Sequence, residues 1–536
     1  MVLFLLLTCN PGHTAAGPDV PVIADASPEA IEAVRSGVYL EQTRQWLDAI
    51  EHYENALETF ADSRELKYGL RRAKIHFAIE RRYADRSFET RLVSRTRQEA
   101  LQLLDDLLRH VQSSYVDSVS ETSFIAHGTE SLYLALANEK FLSRNAPNAS
   151  RDRIQQVRQI LRQDYWNRPI QPPETARSVV STVCDLIRRD LDIRDGAVIM
   201  EYVFGGCNAL DDYSSYLTPD RLEDLYGNIE GEFVGLGIEM KSELGKGLLM
   251  VNVLPDSPAE EGGILPGDHI VAINGTDCRS MSTDEAARLL RGPSGSQVQL
   301  QIDSPDSEET REGTFSRRAV QVKSIPVAEI IDEDAGIGYI QLTGFQKTSA
   351  QELDAALASL SQRGMRALIW DVRGNPGGLL TAAVEVLDRF IPEGVLVSTR
   401  GRTRDQNWSY SAHRSGTWDI PLVLLIDGDS ASASEIVAGA VGDHRRGVIV
   451  GRKSYGKWSV QSIFPVRDAT GLRLTTAKFY SPKGRTLSKI GVRPDIVVER
   501  TNDQMTAYRG TVKQRLAADA DVLKGLEVLQ SRLTQR

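Results

Sequence analysis

The chain has 536 residues, 41% of them hydrophobic and 25% charged, which is ordinary for a globular protein. At about 150 residues per domain, this length predicts three or four domains. The formal net charge of −10 argues against a general nucleic-acid-binding protein, because such proteins present a basic surface. The four cysteines lack the paired spacing of a zinc site; they are Cys9, Cys184, Cys207 and Cys278.

The first 27 residues indicate an export or anchoring segment. Residues 2–7 form an apolar run that is too short to span a bilayer, and small residues follow at 14–16, as at the end of a signal peptide. No Lys or Arg precedes Arg35, so we expect a signal that is truncated at its start. Residues 6–9 loosely resemble a lipoprotein box, which would place a lipid on Cys9. We expect a periplasmic or envelope-associated protein, with peripheral membrane attachment, a lipid anchor and a plain disordered tail left open.

Residues 28–165 are expected to form a helical region. Apolar residues recur at three- and four-residue spacing from Trp46 to Leu57, which predicts an amphipathic helix. With Gly37 upstream, residues 33–62 resemble one tetratricopeptide-type helix pair. No second copy follows, and such arrays need about three repeats, so a helical spacer is favoured over a partner-binding array. Further helices are predicted at 98–111 and 124–142.

Residues 166–228 are predicted to be the helical N-terminal part of a protein core, with helices at 174–190 and 195–205. The run 210–219, Leu-Asp-Asp-Tyr-Ser-Ser-Tyr-Leu-Thr-Pro, has turn chemistry and no catalytic constellation of its own.

From residue 229 to 304 the hydrophobic period becomes that of strands. A glycine-rich loop leads into a strand, and a hairpin turn follows at Asn274-Gly275. The ordered set GLGI, SPA, LPGD and ING resembles a PDZ domain. PDZ domains add a peptide C-terminus to a sheet edge and hold its carboxylate with loop N–H groups. The resemblance implies that Leu236, Gly237 and Ile238 form the carboxylate loop; a purely structural domain is the alternative.

Residues 305–500 alternate strand and helix, which predicts a largely parallel sheet, and residues 501–536 are expected to form a helical tail. The run 367–372 is a buried strand that ends at Gly374-Asn375-Pro376-Gly377-Gly378. Sites in α/β proteins lie at the carboxyl ends of strands. The adjacent glycines therefore predict an oxyanion-hole donor, or simply a tight turn.

The stretch 427–461 carries the remaining candidate chemistry. After the apolar strand 422–426, the run Ser430-Ala-Ser-Ala-Ser-Glu opens a helix, where unpaired N–H groups favour negative charge. Lys457 and Gln461 follow in and after a glycine turn. The segment 451–457 spells GxxxxGK, but Trp458 replaces the Ser or Thr of a phosphate-binding loop and a strand is predicted next. His444 would lie ~18 Å from Ser432 along one continuous helix, so it is an unsuitable base.

A lysine base remains, since Ser–Lys pairs are a variant of nucleophilic acyl transfer. Its pKa must fall toward neutrality, which burial can achieve. The surroundings are suitable, because Tyr455, Trp458, Val460 and Ile463 offer apolar cover and residues 447–466 contain no acid. Gln461 lies an even number of residues from Lys457, so on a strand both would face the same side.

The ordered motifs from about residue 210 to 498 resemble the C-terminal processing peptidases, also called tail-specific proteases. They include GYIQL, DVRGNPGG, SASASEIVAGA, GRKSYGKWSVQ and LTTAKFYSPKGR. The resemblance implies a multidomain α+β protein: a crotonase-like α/β protease core, an inserted PDZ domain and an N-terminal all-helical region. By motif it makes Ser432 the nucleophile, Lys457 the base and Gln461 its partner. Ala433 and either Gly377 or Gly378 would form the oxyanion hole.

The resemblance also implies what the protein acts on. The substrates would be proteins or peptides with free C-termini, and no cofactor, metal or nucleic acid would be needed. The family usually has glycine where this chain has Trp458, and Asn-x-Gly in place of Asp427-Gly428-Asp429. A degenerate PDZ and helical scaffold that only binds C-termini is the alternative function. Homo-oligomerisation is left open.

Overall fold

The computed structural model describes residues 27–305, 307, 309–413, 416–499 and 512–535. The chain divides into two compact units, the first Met1–Leu104 with Glu121–Ala209 and the second Asp105–Ser120 with Leu210–Arg536. Residues 166–209, which were expected in the protease core, therefore group with the helical unit. No helix within the described ranges is long and apolar enough to cross a membrane. The predicted signal or lipid anchor at residues 1–26 lies outside these ranges, and export stays a prediction.

The first unit is helical. Its helices are α1 (Pro28–Gln42), α2 (Trp46–Thr59), α3 (Arg64–Arg82), α4 (Arg97–Ser114, which continues into the second unit), α5 (Glu121–Ala135), α6 (Glu139–Asn145), α7 (Arg151–Ile160), α8 (Ala176–Leu191) and α9 (Asp195–Gly206). The expected helix pair over residues 33–62 is formed by α1 and α2. The buried Tyr53 ring lies between Gly37 and Gly69, where an added Cβ would come within 2.3 and 2.4 Å of it. Only glycine allows this close helix contact.

The second unit contains the strands and the remaining helices. Its strands are β1 (Ser215–Leu217), β2 (Glu232–Gly235), β3 (Ile238–Glu243), β4 (Gly247–Val253), β5 (His269–Ile273), β6 (Thr276–Asp277), β7 (Gln297–Asp303), β8 (Arg311–Ser316), β9 (Arg318–Gln321), β10 (Val327–Asp332), β11 (Ile337–Gln341), β12 (Ala367–Asp371), β13 (Gly394–Gly401), β14 (Trp408–Ala412), β15 (Leu422–Ile426), β16 (Val448–Gly451), β17 (Ser459–Val466), β18 (Thr470–Tyr480) and β19 (Ile496–Val497). Its helices are α10 (Pro219–Glu230), α11 (Pro258–Glu261), α12 (Thr283–Leu290), α13 (Ser349–Gln362), α14 (Leu380–Leu387), α15 (Ala433–Asp443), α16 (Val512–Ala518) and α17 (Ala520–Thr534).

The core of the second unit is a six-stranded sheet in the order β10-β11-β12-β15-β16-β19. All neighbours are parallel except β10 and β11, as the alternation of strand and helix predicts. The helices α13, α14 and α15 contribute to the hydrophobic cluster on one face, and α16 and α17 contribute to the cluster on the other. Both faces are thus covered, which explains the continuous apolar runs in β12 and β15.

A second sheet of the core orders its strands β1-β18-β13-β14, with β17 also paired to β18. The pairing of β1 with β18 joins Ser215 to Arg473. The run 210–217, which precedes the inserted domain in sequence, is thereby held against β18, which follows that domain by more than 150 residues.

The inserted domain has the sheet order β3-β4-β5-β7-β8, with β6 on β5 and its own hydrophobic cluster. Strand β8, which lies beyond the predicted boundary at residue 304, pairs with β7 of the same sheet. A separate two-stranded ribbon of β2 and β9 carries the chain into and out of this domain. The multidomain α+β prediction is confirmed, with a helical N-terminal region, an α/β core and an inserted β domain.

Candidate active site

The glycine loop after β12 is held by Asn375, which is fully buried. Its side chain donates to the Leu342 carbonyl at 2.8 Å and accepts the Gly377 N–H at 2.9 Å. Its carbonyl accepts the Ala431 N–H at 3.0 Å and the Ser434 hydroxyl at 2.9 Å. One asparagine therefore joins the loop to the segment that opens α15.

Ser432 is the residue before α15. Its backbone has φ of +55° and ψ of −111°, a conformation that residues other than glycine rarely adopt. It lies against the glycine loop, since a Cβ on Gly377 would come within 2.7 Å of the Ser432 Cβ and 3.0 Å of the Ala433 nitrogen. Strained backbone of this kind clusters at functional sites. The structure thus brings together three residues that sequence reasoning selected.

The two glycines differ in what their N–H groups do. The Gly377 N–H is used by Asn375. The Gly377 carbonyl accepts from Phe345 at 2.9 Å, so the Gly378 N–H of the same planar peptide unit points away from Phe345. Ala433 is the first residue of α15, where an N–H has no partner within the helix. Within the described part of the chain, neither the Gly378 nor the Ala433 N–H donates a hydrogen bond.

Glu435, in the first turn of α15, is fully buried and connects both candidate reacting residues. Its Oε2 accepts the backbone N–H of Ser432 at 3.0 Å and that of Lys457 at 2.7 Å. Its Oε1 accepts the Ser454 hydroxyl at 2.6 Å and the Gly456 N–H at 2.7 Å. Sequence reasoning noted a carboxylate in this turn but missed this role, although the Ser-x-x-Glu spacing of a capping box was a usable signal.

The Lys457 side chain is half-buried, and burial lowers the pKa of its amine. The positive charge of Arg473 lowers that pKa further, while Asp211 and Glu435 oppose the shift. Although residues 447–466 contain no acid, these two carboxylates reach the amine's surroundings from elsewhere. The net lowering of the pKa shifts the equilibrium toward the neutral amine, which is the form that can accept a proton.

The run 210–217, expected to carry no catalytic group, contributes Tyr213. Its ring centroid lies 4.8 Å from the Lys457 Nζ, within the range of a cation–π contact. Burial raises the pKa of the Tyr213 hydroxyl to about 12, and a hydrogen bond with the Tyr455 side chain contributes to the increase. Between the described atoms of Ser432 and Lys457, no hydrogen bond joins the hydroxyl to the amine. The amine is thus positioned over the tyrosine ring.

Trp458, the departure from the family pattern, lies in the core with 1% exposure. Its ring packs on Phe479 with centroids 4.7 Å apart. A Cβ on Gly439 of α15 would come within 3.0 Å of the indole, so the glycine leaves the space that the ring fills. The Trp458 side chain therefore packs the turn that contains Lys457 against α15.

Gln461 lies on β17, whereas Lys457 precedes that strand, so alternation along a strand does not set the relative directions of the two side chains. The strand starts at Ser459, and a β-bulge between Val460 and Gln461 breaks the alternation of side chains. The Gln461 amide nitrogen donates to the Ser459 hydroxyl at 2.9 Å and to the Thr475 hydroxyl at 3.2 Å. In the described structure it makes no hydrogen bond to Lys457.

The two alternatives weighed on the sequence are not supported. His444 ends α15, and its Nε2 bonds the Val395 carbonyl at 2.8 Å. The neighbouring Asp443 binds the Arg485 guanidinium rather than the histidine. The GxxxxGK segment is followed by strand β17 and not by the helix of a phosphate-binding loop.

In the inserted domain, the predicted carboxylate loop precedes β3. The Leu236 carbonyl accepts from Ala259 at 2.9 Å and the Gly237 carbonyl accepts from Leu254 at 2.8 Å. Because N–H and C=O point oppositely in a trans peptide, the N–H groups of Gly237 and Ile238 point away from those partners. Within the described ranges β3 pairs with β4 alone, so its other edge is available for an added strand.

Comparison with known proteins identifies the family to which the chain belongs. Residues 336–498 match peptidase family S41, and residues 250–303 match the PDZ domain. A carboxy-terminal-processing protease of Bartonella bacilliformis is 37% identical over 57% of this chain and 70% of its own length. A carboxyl-terminal-processing protease of Synechocystis is 35% identical over 58% of this chain and 74% of its own length. The protease CtpB of Bacillus subtilis is 30% identical over 58% and 64%.

These features define a serine-type peptidase with an inserted PDZ domain. More narrowly, the chain belongs to the carboxyl-terminal processing proteases.

Proposed function

We propose that the protein cleaves peptide bonds through an acyl-enzyme formed on Ser432, with Lys457 as general base. The observation that carries this proposal is the position of Ser432, which lies with positive φ between an unused helix N–H and the glycine loop. The neutral Lys457 amine takes the proton from the Ser432 hydroxyl as the oxygen attacks the substrate carbonyl. The resulting ammonium then protonates the departing amine, and water hydrolyses the ester.

Gly378 is the better candidate for the second oxyanion donor. The Gly377 N–H is already used by Asn375, whereas the Gly378 and Ala433 N–H groups remain available. Donors fixed before reaction stabilise the tetrahedral oxyanion without reorganisation, and each is worth a factor of about 10²–10³ in kcat.

In this proposal the Lys457 amine forms its hydrogen bond with the Ser432 hydroxyl when substrate binds. Catalytic hydrogen bonds are often long before substrate binds, so the lack of this bond in the described structure is compatible with the role. Gln461 becomes a partner of the amine only if its amide exchanges its bonds to Ser459 and Thr475. Its proposed role is therefore confined to the substrate-bound state.

The PDZ domain is proposed to capture the substrate's C-terminus along β3, with the carboxylate at the loop formed by Leu236, Gly237 and Ile238. Capture can influence the catalytic loops through residues 345–347. Lys347 N–H donates to the Ile229 carbonyl at 3.2 Å just before the ribbon strand β2, while Phe345 bonds Gly377. Movement of the ribbon would thus displace the oxyanion loop through these backbone hydrogen bonds.

The dyad is tested with Ser432→Ala and Lys457→Met on an unfolded protein substrate with a free C-terminus. Each substitution should abolish turnover while leaving the unfolding midpoint near that of the wild type. Lys453→Met, an exposed lysine of the same turn, is the control and should keep full activity. Turnover retained by either dyad variant would refute the assignment.

The capture site is tested with Gly237→Ala. A Cβ there would come within 2.2 Å of the Ser257 Cβ at a φ of +79°, so the loop must distort. A peptide with a free C-terminus should bind this variant at least about tenfold more weakly than the wild type. An amidated peptide lacks the carboxylate and should bind both proteins equally weakly. Gly245→Ala has a similar φ of +82° with open space and is the control. Equal affinity of both variants for the free-acid peptide would contradict the capture site.

A further inference from the structure

The C-terminal helix α17 lies beyond the region that matches the peptidase family, which ends at residue 498. The helix packs on the face of the main sheet opposite α15, with Val522 and Leu529 fully buried. A Cβ on Gly525 would come within 3.0 Å of Ile369, so the helix approaches the sheet closely. A merely trailing tail would not be packed in this way.

The first turn of α17 carries Asp521, whose side chain is fully buried. Its Oδ2 accepts from Arg373 at 2.7 Å and from Arg452 at 2.7 Å, and its Oδ1 accepts from Arg452 at 3.0 Å. Arg373 also bonds the buried Asp371 and, at 2.9 Å, Asp519, which caps α17. Two arginines and three carboxylates therefore form one network at the carboxyl ends of β12 and β16.

These two arginines have particular positions in the chain. Arg373 begins the loop that contains Gly377 and Gly378, and Arg452 begins the loop that ends at Lys457. A single carboxylate of the C-terminal helix thus holds the entrances of both the proposed oxyanion loop and the base loop. Charge-assisted bonds of this kind, two of them from one guanidinium, fix geometry more firmly than neutral ones.

We infer that Asp521 is a positioning residue for catalysis, through which the C-terminal helix sets the relative placement of the oxyanion loop and the lysine loop. This inference rests on the proposed roles of Gly378 and Lys457. It makes the protein's own C-terminal helix part of the catalytic apparatus rather than a spacer.

The test is Asp521→Asn in the full chain, assayed well below the unfolding midpoints of all variants. The amide cannot accept from both arginines as a carboxylate does, so the loops lose their common anchor. Because small displacements of catalytic groups cost up to about 10²-fold, kcat should fall about tenfold or more while KM changes by less than about twofold. A purely stabilising role would lower the midpoint but leave kcat at the assay temperature unchanged.

Glu527→Gln is the matched control, since this carboxylate lies on the same helix and, among the described residues, pairs with Lys524 alone at the surface. If Asp521→Asn does not fold, Arg452→Gln tests the same link, because Arg373 still neutralises Asp521. Wild-type kcat in the folded variant would overturn the inference. Ser432→Ala, assayed alongside, separates the two claims: activity in that variant refutes the proposed function, whereas its inactivity beside a fully active Asp521→Asn refutes only the positioning role.

Discussion

The Oε2 atom of Glu435 accepts the backbone N–H of Lys457 at 2.7 Å. The same oxygen accepts the N–H of Ser432, so one buried carboxylate fixes the main chain on both sides of the proposed reaction. On the opposite side, Asp521 holds the loops that lead to Gly378 and Lys457. The reacting groups are thus mounted between two carboxylates that do not themselves react.

Glu435→Gln should separate this scaffold from the chemistry. The amide turns one acceptor oxygen into a donor, so buried N–H groups lose their partner at about 1.5–3 kcal/mol for a bond to a charged group. We expect kcat to fall about tenfold or more, because the catalytic groups are displaced. The free energy of unfolding should fall by about 1.5–3 kcal/mol. Steady-state kinetics and denaturant titration measure both. The exposed Glu385→Gln is the control, and an unchanged kcat in Glu435→Gln would show that the carboxylate does not position the dyad.

Trp458 and Gly439 should behave as a coupled pair. Trp458→Ala removes a fully buried ring and should lower the free energy of unfolding by about 3–5 kcal/mol. Gly439→Ala places a Cβ 3.0 Å from the indole and should cost about 1–3 kcal/mol. In a Trp458→Phe background the ring is shorter, so Gly439→Ala should lower the free energy of unfolding by less than it does in the wild type. Trp408→Ala, at a tryptophan with 60% exposure, should cost about 1 kcal/mol or less, because surface substitutions have small effects. Additive effects in denaturant titrations would contradict the packing.

The sequence predicted the local features of the site because each has a local cause. The apolar strand 367–372 ends in glycines, the serine run opens a helix, and the lysine lies in a glycine turn before a strand. Each of these lies where expected. The order of motifs also predicted the PDZ domain between segments of one core. These features depend on hydrophobic period and on residues near one another in the chain.

The features that were missed depend on distant contacts or on local irregularity. Tyr213 meets Lys457 only because β1 pairs with β18, and Asp521 meets Arg373 only because α17 packs on the sheet. No spacing in the sequence indicates either contact. The bulge between Val460 and Gln461 is not marked by a glycine, so the sequence gives no sign that side-chain alternation is interrupted there. Which glycine has a free N–H depended on the Asn375 side chain.

Gly378→Ala should abolish most of the activity, because it displaces a single backbone N–H group of the site. The added Cβ would come within 2.2 Å of the Phe345 carbonyl oxygen at a φ of +143°, which displaces the proposed oxyanion donor. The expected loss in kcat is about 10²–10³-fold. Gly374→Ala, in the same loop, also places an alanine at a positive φ, +65°, but has open space around it and so no collision. Similar kcat values for the two alanine variants would rule out a special role for Gly378.

The pH dependence of kcat/KM should report the Lys457 amine, which accepts a proton only when neutral. Activity therefore rises as pH increases through its pKa, which burial and Arg473 lower and which Asp211 and Glu435 raise. Arg473→Met removes a positive charge, so the pKa rises and the acid limb moves to higher pH. Asp211→Asn removes a negative charge and should move that limb to lower pH.

The opposite directions make this experiment discriminating, since general damage to the site would lower activity without moving the limb in two senses. Lys478→Met removes an exposed cation from the same strand as Arg473 and should leave the limb in place. Raised salt should leave most of the Arg473 effect intact, because partly buried charges are screened less than exposed ones. A limb that is the same in the wild type and both site variants would mean that another group, and not Lys457, is the base.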